Sequence, residues 1–505
     1  MNQSTEALSR IETKIVKLES TRTNGELPAV IPNERKKPRP KIRPKLEKDC
    51  FQGRVRMAAE RRAAGKALRD LVPRESHAEW KGSAERPDPI DVLISSNRGR
   101  MPELVPIRHG RMLTSPFAFL RGSAAGMASD LSRTPTTGIR VQACGDCHLM
   151  NFGAFATPER QFNFDINDFD ETLPAPWEWD VKRLTASIVI AGRYLKFKER
   201  DSLAAAERAV RTYRRQMGRY AEMRAFEVWY DHVSAEQVMS EMSPDRQKFI
   251  RARIEKVRAQ GVVEHDFPKL TQGGKGKPRI KDNPPLMFHL QGNRSKELSD
   301  AVFQGLRMYR STLAPPYRVL LDRFRFYDLA VKVVGVGSVG TLCMVVLLMA
   351  ADNDPLFLQV KQANASVLER YAGKSVYSNH GERVVMGQRL MQAASDMMLG
   401  WTVGKPAGRH FYLRQLRDMK LSAMLETFDH ETLSAYGKIC GWALARAHAR
   451  SGDAAMISGY LGNSDVFDQA IVKFASKYAD QTESDHRTMR KAVSDRRLEV
   501  AVIEG

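Results

Sequence analysis

Between Phe326 and Ala350 the sequence "FYDLAVKVVGVGSVGTLCMVVLLMA" sets two apolar, β-branched runs on either side of a glycine pattern, and this stretch restricts the fold most. A G-x-G-x-x-G that opens a helix is the mark of a dinucleotide-binding fold. Here the residues after Gly340, "TLCMVVLLM", are those of a buried strand, and "DNDP" supplies the next turn. The expected local structure is strand, glycine loop, strand. A third strand, "LFLQVKQA", carries Lys361 in an otherwise apolar setting, where a cation is costly to bury unless it is paired.

The second constraint lies far upstream. The strand run "IRVQAC" enters the loop "CGDCHLMN", followed by a short strand "FGAF", a turn "ATPER" and a further strand "QFNFDIND". That arrangement aims Asp146 and Asn151 of the loop, and Asp165, Asp168 and Asp170 behind them, at one spot. Such oxygens suit magnesium, which takes one or two carboxylates and completes its shell with substrate phosphates. The D-x-x-x-x-N spacing is that of a phosphoryl-transfer site, where the Asp receives the substrate hydroxyl proton and the Asn holds metal. The spacing alone also fits a turn closed by Asx hydrogen bonds.

The two constraints explain each other if the chain binds ATP with Mg2+. Strand, glycine loop, strand and then a lysine is the order in which a kinase folds a loop over nucleotide phosphates. Gly335, Gly337, Gly340 and Lys361 are then the nucleotide-binding candidates. The lysine calls for a glutamate on the helix that follows, either Glu369 in "SVLERY" or Glu382 in "GERVVMGQRLMQAAS". Glu382 is preferred because its helix directly precedes the next strands. "FYLRQLRDM" is expected as the strand that leads to the adenine site.

Composition excludes several classes. The longest apolar run, "TLCMVVLLMAA", is half a membrane span and reads as a buried strand, so no integral membrane segment is expected. The first residues lack the basic-then-apolar order of a secretory signal, and five cysteines in 505 residues make no disulfide framework, which fits a cytoplasmic protein. Cys144 and Cys147 form the one close pair and lack a second pair to complete a zinc site. The formal charge of +21 is partly local: "NERKKPRPKIRPKLEK" (33–48) is a proline-broken basic leader able to make weak polyanion contacts, preceded by a short amphipathic helix on Leu8, Ile11, Ile15 and Leu18. The loop "LTQGGKGKPRIKDNPP" lacks the Ser or Thr of a phosphate loop after its lysine. "SPFAFLRGSAAGMASDLS" reads as one helix entered at Ser115 and Pro116.

"GDCHLMN" resembles the G-D-x-H-x-x-N catalytic loop of aminoglycoside and choline kinase-like phosphotransferases, with Asp146, His148 and Asn151 matching position by position. "NDFDE" resembles their metal-binding motif, which makes Asp168 the first metal candidate and Asp165 the second. Asp180 in "PWEWDVKRL" resembles the helix aspartate that supports the catalytic loop. The stretch from Arg111 to Arg193, with "VGVGSVGT", "LQVKQA" and "GERVVMGQRLMQ", also resembles a bacterial family called domain of unknown function 2252, over roughly residues 90 to 465.

These resemblances imply a helix-rich α+β protein with a protein-kinase-like two-lobe fold. In kinases the glycine loop and lysine come before the catalytic loop. Here they follow it, so the chain would be circularly permuted, and "WALARAHARSGD" resembles the helix that runs into the catalytic loop. The layout expected is a leader over 1–50, a helical lobe with the catalytic loop over 51–320, a β-rich nucleotide-binding lobe over 321–420 and a helical return over 421–505. The function expected is an ATP- and magnesium-dependent phosphotransferase acting on a small-molecule or protein acceptor. Two alternatives stay open: a kinase-like nucleotidyl transferase acting on protein, and a noncatalytic basic nucleic-acid-binding protein.

Overall fold

The computed structural model describes residues 54–82, 85–259, 267–272, 278–351, 354–404, 408–416 and 419–501. The chain divides into Met1–Met57 and Ala58–Gly505. The basic leader and its amphipathic helix lie outside the described residues. So does the glycine-rich part of the 270–285 loop. The second unit is helix-rich α+β with several sheets. No helix among the described residues is long and apolar enough to cross a membrane.

Helix α1 (Val105–Leu113) is followed by α2 (Pro116–Gly122), whose start is set by Ser115: its hydroxyl accepts the Ala118 amide at 3.1 Å, with Pro116 at the first helical position. The single helix expected here is two, because α3 (Ala124–Leu131) begins only after Ser123. Buried arginines account for the break. Arg183 Nη2 donates to the Leu120 carbonyl at 3.0 Å and Arg108 Nη2 to the Gly122 carbonyl at 2.9 Å, so side chains satisfy oxygens that a continuous helix would have used.

Four strands then build the floor of the site. β1 (Arg140–Ala143) pairs with β4 (Leu173–Pro176), and β2 (Phe152–Ala156) pairs with β3 (Phe162–Ile166), both antiparallel. From β4 the chain enters α4 (Trp177–Tyr194), which is buried nearly throughout and carries Glu178, Asp180, Lys182 and Arg183 into the interior. Against it pack α5 (Glu199–Tyr220) and later helices; β5 (Val233–Ser234) extends the β2–β3 sheet.

A second, six-stranded sheet begins with β6 (Met287–Phe288). Helix α6 (Asn293–Thr312) precedes β7 (Arg325–Lys332), β8 (Cys343–Met349) and β9 (Pro355–Ala363). After α7 (His380–Met391) come β10 (Gly400–Gly404) and β11 (Arg409–Gln415), giving the antiparallel order β10-β11-β9-β8-β7-β6. All seven residues of β8 are buried, as the apolar run "TLCMVVLLMAA" requires of a strand covered on both faces. Alternation along β9 sends Leu358 and Val360 to a core shared with Val302, Tyr309 and Leu313 of the α6 region, while Phe357 meets Phe267 and Ile280 on the other face. Residues 293–312 therefore pack on this sheet, across the boundary expected at 320. β12 (Lys420–Ser422) crosses to the edge of the β2–β3 sheet. Helices α8 (His430–Ser451) and α9 (Val466–Ser494) then return to pack on α4 and α5. The end of α8 meets the start of β1: the Gln142 amide donates to Ser451 Oγ at 3.1 Å.

Candidate active site

Strand pairing decides which loops meet. Because β1 pairs with β4 and β2 with β3, the loop 144–151 and the loop 167–172 emerge at the same end of the two ladders. The Asn167 amide donates to the Asn151 carbonyl at 2.9 Å. Asn151 Nδ2 donates to the carbonyls of Asp146 and Asp168, both at 3.0 Å, so its side chain braces the two acidic loops. Among the described residues no donor reaches its Oδ1.

Helix α4 holds the first loop from beneath. Asp180 accepts the Cys144 amide at 2.6 Å and the Gly145 amide at 3.0 Å, and His448 Nε2 lies 3.2 Å from the same carboxylate. One turn along, the buried Arg183 donates from Nε to Asp146 Oδ1 at 2.7 Å and from Nη2 to the same oxygen. That leaves Asp146 Oδ2 without an arginine, 3.9 Å from His148 Nε2. Burial pushes the His148 imidazolium down to about 4, with Arg121 and Arg183 adding to the effect against Asp146 and Asp168, so the ring is neutral at physiological pH. Sequence reasoning missed Arg183; the signal was a helix whose first two turns carry four charged residues among apolar neighbours.

The six-stranded sheet supplies the opposite wall. The Lys361 side chain is 3% exposed, and its ammonium lies 2.5 Å from Asp170 Oδ2 and 3.3 Å from Asp168 Oδ2. Tyr412, its cross-strand neighbour on β11, donates to Asp170 Oδ1 at 2.9 Å, and Ser338 of the glycine loop donates to Asp170 Oδ2 at 3.2 Å. Burial raises both carboxyls, but Lys361 and Arg414 outweigh it at Asp168 and hold that acid at about 2. Asp170 is displaced upward by burial and by the Asp168 charge.

Two expected roles are corrected by these contacts. Glu382 is not the partner of Lys361, and neither is Glu369, whose carboxylate lies 3.7 Å from the His380 ring, an imidazole that burial keeps toward its neutral form. In the first turn of α7 the inward position belongs to Arg383, which donates to the carbonyls of Thr172, Asp170 and Asn364, and this turns Glu382 about 100° away around the helix. Asp165 is not a cleft ligand either. It is 1% exposed, and its oxygens accept from Arg446 at 2.7 and 2.8 Å and from the amides of Ile166 and Ala393, both at 2.9 Å.

The glycine loop joins β7 to β8, which are antiparallel neighbours, and no helix follows Gly340. Gly340 has φ +87°, a conformation that suits glycine, and the Arg100 side chain lies 3.1 Å from where a Cβ would stand. The loop is tethered: the Met101 amide donates to the Gly340 carbonyl at 2.7 Å, Arg100 Nη1 to the Val339 carbonyl at 2.5 Å, and Arg111 to the Gly335 carbonyl. A Cβ on Gly337 would stand 3.0 Å from the Arg121 carbonyl.

A cavity of about 320 Å³ lies between these parts, lined by Asp146, His148, Asn151 and Asp168 from the loops and by Gly335 and Gly337 above. Lys361 sits behind its two carboxylates, off the cavity wall, and Gly340 is held back by its tether. A separate apolar groove between Phe164, Ile250 and Leu421 takes no lining residue from the acidic loops. The donor set fits magnesium: an ionised Asp168 carboxylate 38% exposed, and a spare Asn151 Oδ1. Among the described residues no group of three or more His, Cys, Asp or Glu forms a ready metal cage, and a cation shared with phosphates needs none.

Comparison with curated proteins finds no match, and comparison with solved structures finds none. A family model described as an uncharacterized protein conserved in bacteria (DUF2252) matches residues 100–492, which takes in both acidic loops, the glycine loop, Lys361 and the helices beneath them. The chain belongs to that bacterial family.

Proposed function

We propose that this protein is an ATP- and magnesium-dependent phosphotransferase with a circularly permuted, protein-kinase-like arrangement. The observation that carries the reading is the meeting of Lys361 with Asp168 at 3.3 Å, 193 residues apart in sequence, beside a cavity that the D-x-x-x-x-N loop and the glycine loop both line. The contact between the end of α8 and β1 supports the permutation, since in a kinase those elements are consecutive. Asp180 beneath the loop amides supports the comparison with phosphotransferases.

In this reading the acceptor hydroxyl sits against Asp146 Oδ2, the oxygen that Arg183 leaves open. As the acceptor oxygen bonds to the terminal phosphorus of ATP, the bond to ADP breaks and the hydroxyl proton passes to Asp146. Asn151 and Asp168 would hold magnesium, which when bound would neutralise charge on the phosphate oxygens. Lys361 keeps Asp168 ionised until nucleotide arrives. His148, neutral and buried, packs beside the base and carries no charge into the site.

The test is the melting transition with and without magnesium and ATP, followed by incubation with ATP labelled at the γ- or the α-phosphate. Binding to the folded state alone raises the transition temperature by mass action. A γ-label transferred to an acceptor supports phosphoryl transfer. An α-label transferred supports the nucleotidyl alternative, and no shift in the presence of both ligands overturns the nucleotide assignment.

A further inference from the structure

Three acids of the cavity already have cations behind them, Arg183 on Asp146 and Lys361 on Asp168 and Asp170, while the fourth, Glu171, has none in contact among the described residues. The same cavity has a second wall made by Arg98, Arg100, Arg108 and Arg121, and among the described residues none of these four has a carboxylate at ion-pair distance. Arg108 is 2% exposed, and its partners are neutral: Ser96 Oγ at 3.0 Å, Asn97 Oδ1 and the Gly122 carbonyl. Among the described residues its buried Nε has no hydrogen-bond partner, nor does the buried Nε of Arg121, whose guanidinium lies 5.9 Å from the centre of the Phe117 ring. Among the described residues Arg100 donates only to the carbonyls of Ser96 and Val339. Glu171 acts on Arg100 and Arg108, and Asp146 on Arg121, only from a distance. Buried guanidinium groups with no carboxylate in contact are costly, and an anion entering the cavity would relieve that cost.

The wall also faces the base, since Arg121 lines the same cavity as Asp146 and His148. We propose that it binds the phosphate monoester of a phosphorylated acceptor whose hydroxyl faces Asp146. Four positive charges match a dianion better than a monocarboxylate, and planar guanidinium groups bond phosphate oxygens in pairs. The word acceptor rests on the phosphotransferase reading; the anion site does not.

The experiment is calorimetric titration of the full chain with inorganic phosphate, alone and with magnesium and a saturating nonhydrolysable ATP analogue. Variants are Arg121→Gln, Arg108→Gln and the exposed Arg98→Gln, each checked by its melting transition. Phosphate is expected to bind the natural chain, to bind roughly tenfold more weakly to Arg121→Gln and Arg98→Gln folded as the natural chain is, and to bind undisturbed beside the analogue. No phosphate binding, equal binding in both variants, or acetate bound as tightly as phosphate overturns the proposal. Displacement of phosphate by the analogue gives the wall to the nucleotide and also overturns it. If the analogue fails to bind while arginine-dependent phosphate binding persists, the anion site stands and the phosphotransferase reading falls.

Discussion

Asp165 and Asp168 are three residues apart and belong to different regions of the molecule. Asp165 is sealed under the floor, its oxygens accepting from Arg446 twice and from two amides. Asp168 stands at the edge of the cavity, 38% exposed, with one ammonium at 3.3 Å. Asp180 and Asp146 repeat the contrast: the first is saturated by two loop amides and His448, while the second has one oxygen held by Arg183 and the other open. Saturation of its hydrogen bonds, more than residue type or burial alone, separates a carboxylate that builds the site from one that can serve it.

The sharpest way to break this comparison is to open the buried pair. Asp165→Leu or Arg446→Met alone leaves an uncompensated charge in the interior and should cost about 3–5 kcal/mol in urea denaturation, whereas the double variant should recover much of that loss. Asp146→Asn keeps an oxygen for Arg183 but removes that buried guanidinium's counter-charge, so it should cost about 1–3 kcal/mol of stability, less than opening the Asp165 pair. It should leave nucleotide binding nearly intact while lowering turnover by about 10²–10⁴-fold in a steady-state assay. If the Asp165 variants are mild, or Asp146→Asn unfolds the chain, the two regions have exchanged roles.

A smaller effect comes from the loop support. Asp180→Ala removes the acceptor of the Cys144 and Gly145 amides and should cost about 1–3 kcal/mol in the same measurement. Turnover should fall more than magnesium–ATP affinity does, because the loop that carries Asp146 loses its anchor while Asp168 and Lys361 behind it are untouched. Smaller again is Asp168→Asn. The acid is held at about 2, below its ordinary 3.8, so it contributes stability above that ordinary value that is lost as pH falls toward 2. At this exposure, screening limits the contribution to about 1 kcal/mol or less. The variant should therefore lose part of the acid-limb slope between those values while losing most of the magnesium-dependent thermal shift.

What was legible in the sequence was the set of residues that turns and strands gather locally. The glycine hairpin, the β9 lysine and the loop strands follow from period-2 patterning with punctuation, and Asp146, Asn151 and Asp168 follow from spacing within one short stretch. Partners fixed by packing were not legible. Lys361 looks for a glutamate if only its neighbours in sequence are considered, yet the register of β9 with β11 and the tether of the glycine loop bring it to Asp170. Asp165 and Asp168 have the same local grammar, and only the arrival of Arg446 from α8, far along the chain, tells them apart. The single helix expected over 115–132 failed for a similar reason: Arg108 and Arg183 reach its carbonyls from other helices.

Glu171 provides the finest test, because it lines the cavity yet has no cation in contact. Burial pushes its carboxyl up to about 7, against the Val367 amide that donates to it at 2.7 Å and the more distant Arg383 charge. The folded state thus holds a proton that the unfolded chain gives up near its ordinary 4.5, and between those values the native state binds more protons. Stability must then fall as pH rises from 4.5 to 7. Glu171→Gln keeps an oxygen for the Val367 amide and removes the titration, so it should flatten that decline and stabilise the protein above pH 7 by about 1–3 kcal/mol. Denaturant midpoints for both chains at several pH values measure it directly. A parallel pair of curves would mean that Glu171 is already ionised and matched, which would move it from the cavity group to the saturated group beside Asp165.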